Sequence, residues 1–137
     1  MDNERLPRDR RLEPRRTAVL VVDVQLSEVA PEYREAKPDY WRMVHDRALP
    51  AQQRLLAAAR ERGSEVIYTV IEALTADGRG RSLDHKLSGI LVPKGSPLAR
   101  VIPAVAPMAD EIVLPKTSSG VFNSTAIDYV LRNLGID

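Results

Sequence analysis

Cysteine is missing altogether from the 137 residues. Its absence excludes disulfides, thiolate metal sites and a cysteine nucleophile at any of these positions. No apolar run approaches the roughly 18 residues of a membrane span, and the opening MDNERLPRDRRLEPRR holds no apolar segment to serve as a signal peptide. A cytoplasmic protein that engages no membrane is therefore expected. A large charge of one sign is also lacking: 20 Lys and Arg face 19 Asp and Glu, for a net charge of +1. That balance argues against a nucleic-acid partner. Internal repeats and low-complexity tracts are absent. What is present, 44% apolar residues, suffices for one packed domain and excludes a disordered chain.

Residues 1–16 hold six Arg and four acidic residues. Pro7 and Pro14, with Asp2, Glu4, Asp9 and Glu13 interleaved, make this segment a basic but solvated leader rather than a phosphate-binding arm. The folded part is expected over 17–137.

Within it, Ala18 to Val22 form a continuous β-branched and aliphatic run, and Val66 to Ile71 form another. Runs without alternation are buried on both faces, the habit of parallel strands flanked by helices. Between them, Asp39 is placed to cap a helix bearing Trp41, Val44, Ala48, Leu55 and Ala59 on one stripe. Pro50 either kinks that helix or divides it, and Gly63 closes it. Strand, helix and strand make a right-handed βαβ unit. Residues 75–98 form a long excursion with little periodicity, of the kind that has a function or its own local packing. A short helix is expected within Pro97–Ala106. A third strand spans Glu111–Leu114 and is stopped by Pro115. Thr125 and Asp128 cap a last helix with Ile127, Val130, Leu131 and Leu134 on one face, closed by Gly135. A three-stranded sheet whose last helix leads nowhere leaves an apolar face and a strand edge uncovered. The expectation is the N-terminal portion of a larger α/β domain, or a chain that a companion completes.

In an open parallel sheet the ligand crevice lies beyond the carboxyl ends of the strands. Asp23 follows the first strand, Glu72 the second, and Lys116 comes two residues after the third. An Asp and a Lys converging there hold each other charged, and the Asp can act as a base toward a third group. The alternative is a loop-capping Asp with a solvated Lys, and placement alone favours it. Glu72 either faces the crevice or ends its strand in water. No G-x-G-x-x-G follows a strand, and GRGRS lacks the strand-turn-helix setting of a dinucleotide loop. The hydroxyls of Thr117, Ser118 and Ser119 have no His nearby in sequence to activate them. Tyr40 and Trp41 read as packing residues, and His45 and His85 as surface residues.

AVLVVDVQ, VIYTVIEA and EIVLPKTSSGVFNSTAIDYVLRNLGI together resemble the first half of the isochorismatase-like cysteine hydrolases. The Asp after the first strand, the Pro-Lys after the third, and the stretch containing Ser119, Phe122, Asn123 and Thr125 carry the likeness, which spans Thr17 to Asp137. The fold this implies is a three-layer, Rossmann-like parallel α/β sheet, cut short after its third strand and the helix that follows. The chemistry it implies is an Asp-Lys-Cys triad with Asp23 and Lys116 in the first two places. The nucleophilic Cys would lie after the next strand, beyond Asp137. Asp23 would take the thiol proton, Lys116 would stabilise the negative charge, and the thiolate would attack an amide-like carbonyl. KTSSGVFNST looks more like the ureidoacrylate, biuret and N-carbamoyl amide hydrolases than the vinyl-ether-cleaving isochorismatases, so a small amide or ureido substrate is expected. Some relatives carry a divalent metal on an Asp-x-His pair. His45 and His85 sit in no such pair, so neither metal nor other cofactor is expected. Phe122 is a candidate wall of the substrate pocket. Asn123 reads equally as a hydrogen-bond donor to substrate and as a helix cap. Relatives are often oligomers, which implies a homo-oligomer or a companion chain. The competing reading is a noncatalytic binding or assembly module on the same fold.

Overall fold

The computed structural model describes residues 11–137. The first ten residues of the expected leader lie outside them, and Pro14–Arg16 form a single 3-10 turn. Strand β1 spans Ala18–Val22, β2 Glu65–Ile71 and β3 Ile112–Lys116. They form one parallel sheet in the order β1-β2-β3, with Val22 opposite Thr69 and Ile71 opposite Lys116. The central strand β2 is buried at every position after Glu65, as its unbroken β-branched run requires.

Between β1 and β2 lie helices α1 (Tyr33–Ala36) and α2 (Pro38–Met43), a π turn over Val44–Ala48, and α3 (Leu49–Arg62). Of the kink or division expected at Pro50, the structure shows a chain that stays helical from Pro38 to Arg62 with a π turn set between two α segments. Pro50 has no N–H to give the preceding turn and its ring would collide with it, so the chain widens into the π turn and Pro50 falls in the first turn of α3. Asp39 is not the cap: Lys37 holds that position without a side-chain bond, and Asp39 pairs with Arg42 instead. Gly63 ends α3 at φ 74°, and the Ser64 N–H returns to the Ala59 carbonyl at 2.9 Å. One face of the sheet, carrying Val21, Val66 and Tyr68, packs with Leu49, Leu56 and Ala59 of α3 and with Ile102 and Val105.

The excursion after β2 contains a helix the sequence pattern does not show, α4 (Leu83–Leu87), and two 3-10 turns at Pro97–Ala99 and Pro103–Val105 in place of the expected short helix. His85 of α4 is only 1% exposed. His45 lies against Trp41 with ring centroids 3.8 Å apart, its Nε2 buried. Both histidines were expected at the surface. His85 is instead buried and His45 half-buried, through tertiary packing that periodicity does not report.

Pro115 does not stop β3 but lies within it. The Glu72 N–H donates to the Lys116 carbonyl at 3.2 Å, so the alternation of the ladder turns the Pro115 nitrogen to the outer edge, where no donor is needed. Two short helices follow, α5 (Val121–Ser124) and α6 (Ile127–Asn133), with Ile127 fully buried. Among the described residues, no helix is long and apolar enough to cross a membrane.

Candidate active site

Asp23 follows the last residue of β1 and keeps its N–H in the ladder, donating to the Thr69 carbonyl at 3.0 Å. Its φ is 58°, the one left-handed non-glycine residue among those described. Aspartate tolerates that region better than most side chains, because its short polar group bonds locally. Lys116 ends β3 two strands away, on the sheet face shared with Ile71. The two side chains meet: Lys116 Nζ lies 2.9 Å from Asp23 Oδ2, with the lysine side chain 2% exposed and the aspartate 26%.

The ammonium donates a second bond to the Ser119 carbonyl at 3.3 Å. Asp23 Oδ1 is buried and has no partner among the described residues. One oxygen of the carboxylate is therefore held by a cation, and the other has unused acceptor capacity.

Gln25, two residues on, was given no role by the sequence pattern and is fully buried. Its amide closes a two-bond clamp on the end of β2. Oε1 accepts the Ile71 N–H at 2.6 Å and Nε2 donates to the Ile71 carbonyl at 3.0 Å. Nε2 also reaches the Leu98 carbonyl at 3.2 Å. The adjoining backbone is tied to the same loop by Leu26 to Arg100 and Ile102 to Val24 bonds of 3.0 and 3.1 Å. The only trace of this in sequence is an uncharged polar residue between apolar Val24 and Leu26.

The loop after β3 folds back on itself. Ser118 is buried and its hydroxyl lies 3.1 Å from Asn123 Oδ1. A Cβ on Gly120 would stand 2.4 Å from that same Oδ1, so the approach of Asn123 to the loop requires glycine. The N-cap of α6 is Ala126, and the Ile127 N–H is accepted by Oγ1 of the preceding Thr125 at 3.1 Å. Asn123 is thus not the helix cap. Phe122 stands 61% exposed on α5.

Glu72 is not brought to the pair. Its Oε1 accepts the Gly95 N–H at 2.7 Å, and it lines a cleft of about 410 Å³ with Val70, Ser96, Arg100 and Val113, to which neither Asp23 nor Lys116 contributes. Period-2 alternation along β2 and β3 sets this cleft on the sheet face opposite Lys116.

The isochorismatase domain model matches residues 17–137. A cysteine hydrolase from Pseudomonas syringae pv. phaseolicola superposes with a TM-score of 0.74 at 30% identity, covering 92% of this chain and 58% of that one. N-carbamoylsarcosine amidase from Thermoplasma acidophilum gives 0.67 at 27% identity, covering 89% and 64%. An isochorismatase family protein from Desulfovibrio vulgaris gives 0.66 at 28%, covering 89% and 63%. The chain thus spans less than two thirds of the length of these solved relatives. No curated protein matches it. With a domain match over 17–137 and a superposition that covers 92% of its length, the chain belongs to the isochorismatase family.

Proposed function

We propose that this chain contributes two members of a cysteine-hydrolase triad, Asp23 as the base and Lys116 as its electrostatic partner. The carrying observation is the 2.9 Å pair at the tips of β1 and β3, with Asp23 Oδ1 buried and unpartnered beside it. The substrate class is a small amide or ureido compound, supported by the likeness to N-carbamoylsarcosine amidase. The nucleophile is a cysteine outside these 137 residues, since none lies within them.

Each step follows from the pair. Oδ1 of Asp23 takes the thiol proton. The resulting thiolate is stabilised by the positive charge of the Lys116 ammonium beside it. The sulfur bonds to the carbonyl carbon, the C–N bond breaks, and the departing amine takes the proton back from Asp23. Water then attacks the thioester carbonyl and gives a proton to Asp23, the C–S bond breaks, and Asp23 returns that proton to the departing sulfur, leaving the acid product and the free thiol. Phe122 and Asn123, on the short helix after the Lys116 loop, are assigned to substrate contact in this reading, which the exposed ring of Phe122 supports. The Glu72 carboxylate serves the Gly95 loop instead.

Ammonia release from a panel of N-carbamoyl and ureido amides tests this. The 137-residue chain alone should release none. The same polypeptide extended by the codons that follow Asp137 should be active, and should lose at least about 10³-fold on Asp23→Asn. Turnover by the unextended chain sinks the proposal. Inactivity of both forms, with a cooperative melt of the monomer, favours the noncatalytic module instead.

A further inference from the structure

We propose that Asp84 is a positioning residue for the Lys116 ammonium, acting through Ser119. The proposal rests on the reading of Asp23 and Lys116 given above and adds to it a carboxylate from the excursion between β2 and β3. Asp84 lies in the first turn of α4 and faces solvent. Its Oδ2 accepts both the Ser119 hydroxyl at 2.6 Å and the Ser119 N–H at 3.3 Å. Nearby, the Ser82 N–H donates to the Thr117 carbonyl at 3.0 Å. Residues 117–119 are thereby tied by two attachments to residues 82–84, distant in sequence.

What those attachments hold in place is the Ser119 carbonyl, the second acceptor of Lys116 Nζ at 3.3 Å. An ammonium that is 2% exposed has little water to replace a lost acceptor. With the carbonyl fixed, one N–H is directed at Ser119 and another at Asp23 Oδ2. With the carbonyl free to move, the ammonium can swing about Asp23 alone.

Asp84 itself is no base for Ser119. The hydroxyls of Ser119 and Ser82 hold its carboxyl well below the usual carboxylate range, so it stays ionised and takes no proton at neutral pH. Nor does its side chain fill a core, being exposed. Its hydrogen bonds are what it supplies.

The test reads the ammonium directly, so it needs no turnover. In the 15N-labelled 137-residue chain, hydrogen exchange of the Lys116 ammonium and its chemical shift are followed by NMR. Asp84→Ala should speed that exchange about tenfold and shift the resonance. Asp84→Asn, whose Oδ1 can still accept from Ser119, should restore most of the protection. Asp77→Ala removes another exposed aspartate of the same excursion, which bonds the Thr75 hydroxyl at 2.7 Å, and should leave the ammonium unchanged.

Unaltered Lys116 exchange in Asp84→Ala overturns the proposal, as does an Asn variant no better than the Ala variant. If Asp84→Ala fails to fold, Ser119→Ala deletes only the 2.6 Å bond and should show the same change at smaller size. Unchanged exchange there overturns the proposal equally. Failure of amide hydrolysis would leave these readouts intact, so the two ideas fail separately.

Discussion

Parting Asp23 from Lys116 leaves two different remainders. The lysine side chain is 2% exposed and the aspartate 26%. Asp23→Asn suits the φ of 58° and keeps the volume, but it leaves the buried ammonium with neutral acceptors and no counter-charge. Removing one partner of a buried pair in this way costs about 3 kcal/mol. Lys116→Met removes the buried charge at similar volume, and the half-buried Asp23 can recover hydration, so the cost falls to about 1 kcal/mol. Urea unfolding should therefore rank Asp23→Asn clearly below Lys116→Met at equal slope. The reverse order would mean that the carboxylate, not the ammonium, is the group that cannot reach water. Activity does not follow that ranking: both variants lose a charge the proposed chemistry uses, so the more stable one is still inactive.

Between elements, the firmest polar link is the fork of Arg60, in the last turn of α3, on Glu111 at the entrance to β3. Arg60 Nε and Nη2 lie 2.7 and 2.8 Å from the two carboxylate oxygens, and the Met108 N–H adds a third bond at 2.8 Å. The Arg60 guanidinium holds the Glu111 carboxyl below its ordinary range, against the opposing effect of burial. A group whose pKa is depressed by folding contributes stability above its unfolded value and loses it as pH falls through the folded one. Glu111→Gln should thus lower stability by about 1–2 kcal/mol near neutral pH. The loss should shrink at acid pH, as the parent carboxyl takes up its own proton on passing down through its lowered range. Urea midpoints at neutral and acid pH check this, and an equal loss at both would assign the effect to packing. The strands were legible in sequence because a continuous β-branched run needs no partner to declare itself, and Asp23 and Lys116 were legible as charges at strand ends. The π turn in the long helix was half legible, through Pro50. Gln25 and Asp84 were not, because each acts on backbone tens of residues away: 46 from Gln25 to Ile71 and 35 from Asp84 to Ser119. His85 was misplaced because nothing in its neighbours announces α4. Glu72 shares its position at a strand end with Asp23 and Lys116, but its side chain turns to the opposite face, a difference set by one residue of register.

Taken whole, the sheet has two outer edges of unlike character. On β3 the outward positions are Val113 and Pro115, and the second offers no N–H to an incoming strand. The outer edge of β1 has no such guard: its five residues contain no proline, and Val22 is 41% exposed. Beside it runs a cleft of about 130 Å³ lined by Val19, Val21, Leu55 and Leu56, with Leu55 54% exposed. Gln52 also lines it, and its Oε1 is buried without a partner. An unpaired strand beside an apolar groove is a template for another chain, so this 137-residue polypeptide should self-associate through β1 and not through β3. Sedimentation velocity over about a hundredfold range of concentration would register it as a shift toward larger species. Val22→Lys places a charge on the unguarded edge and should return the chain to monomer. Val113→Lys, at a site of nearly equal exposure (42%) on β3, should leave association as it was. Were Val113→Lys the variant that disperses the chain, the proline would not be protecting its edge, and the open side of this sheet would have to be sought at β3.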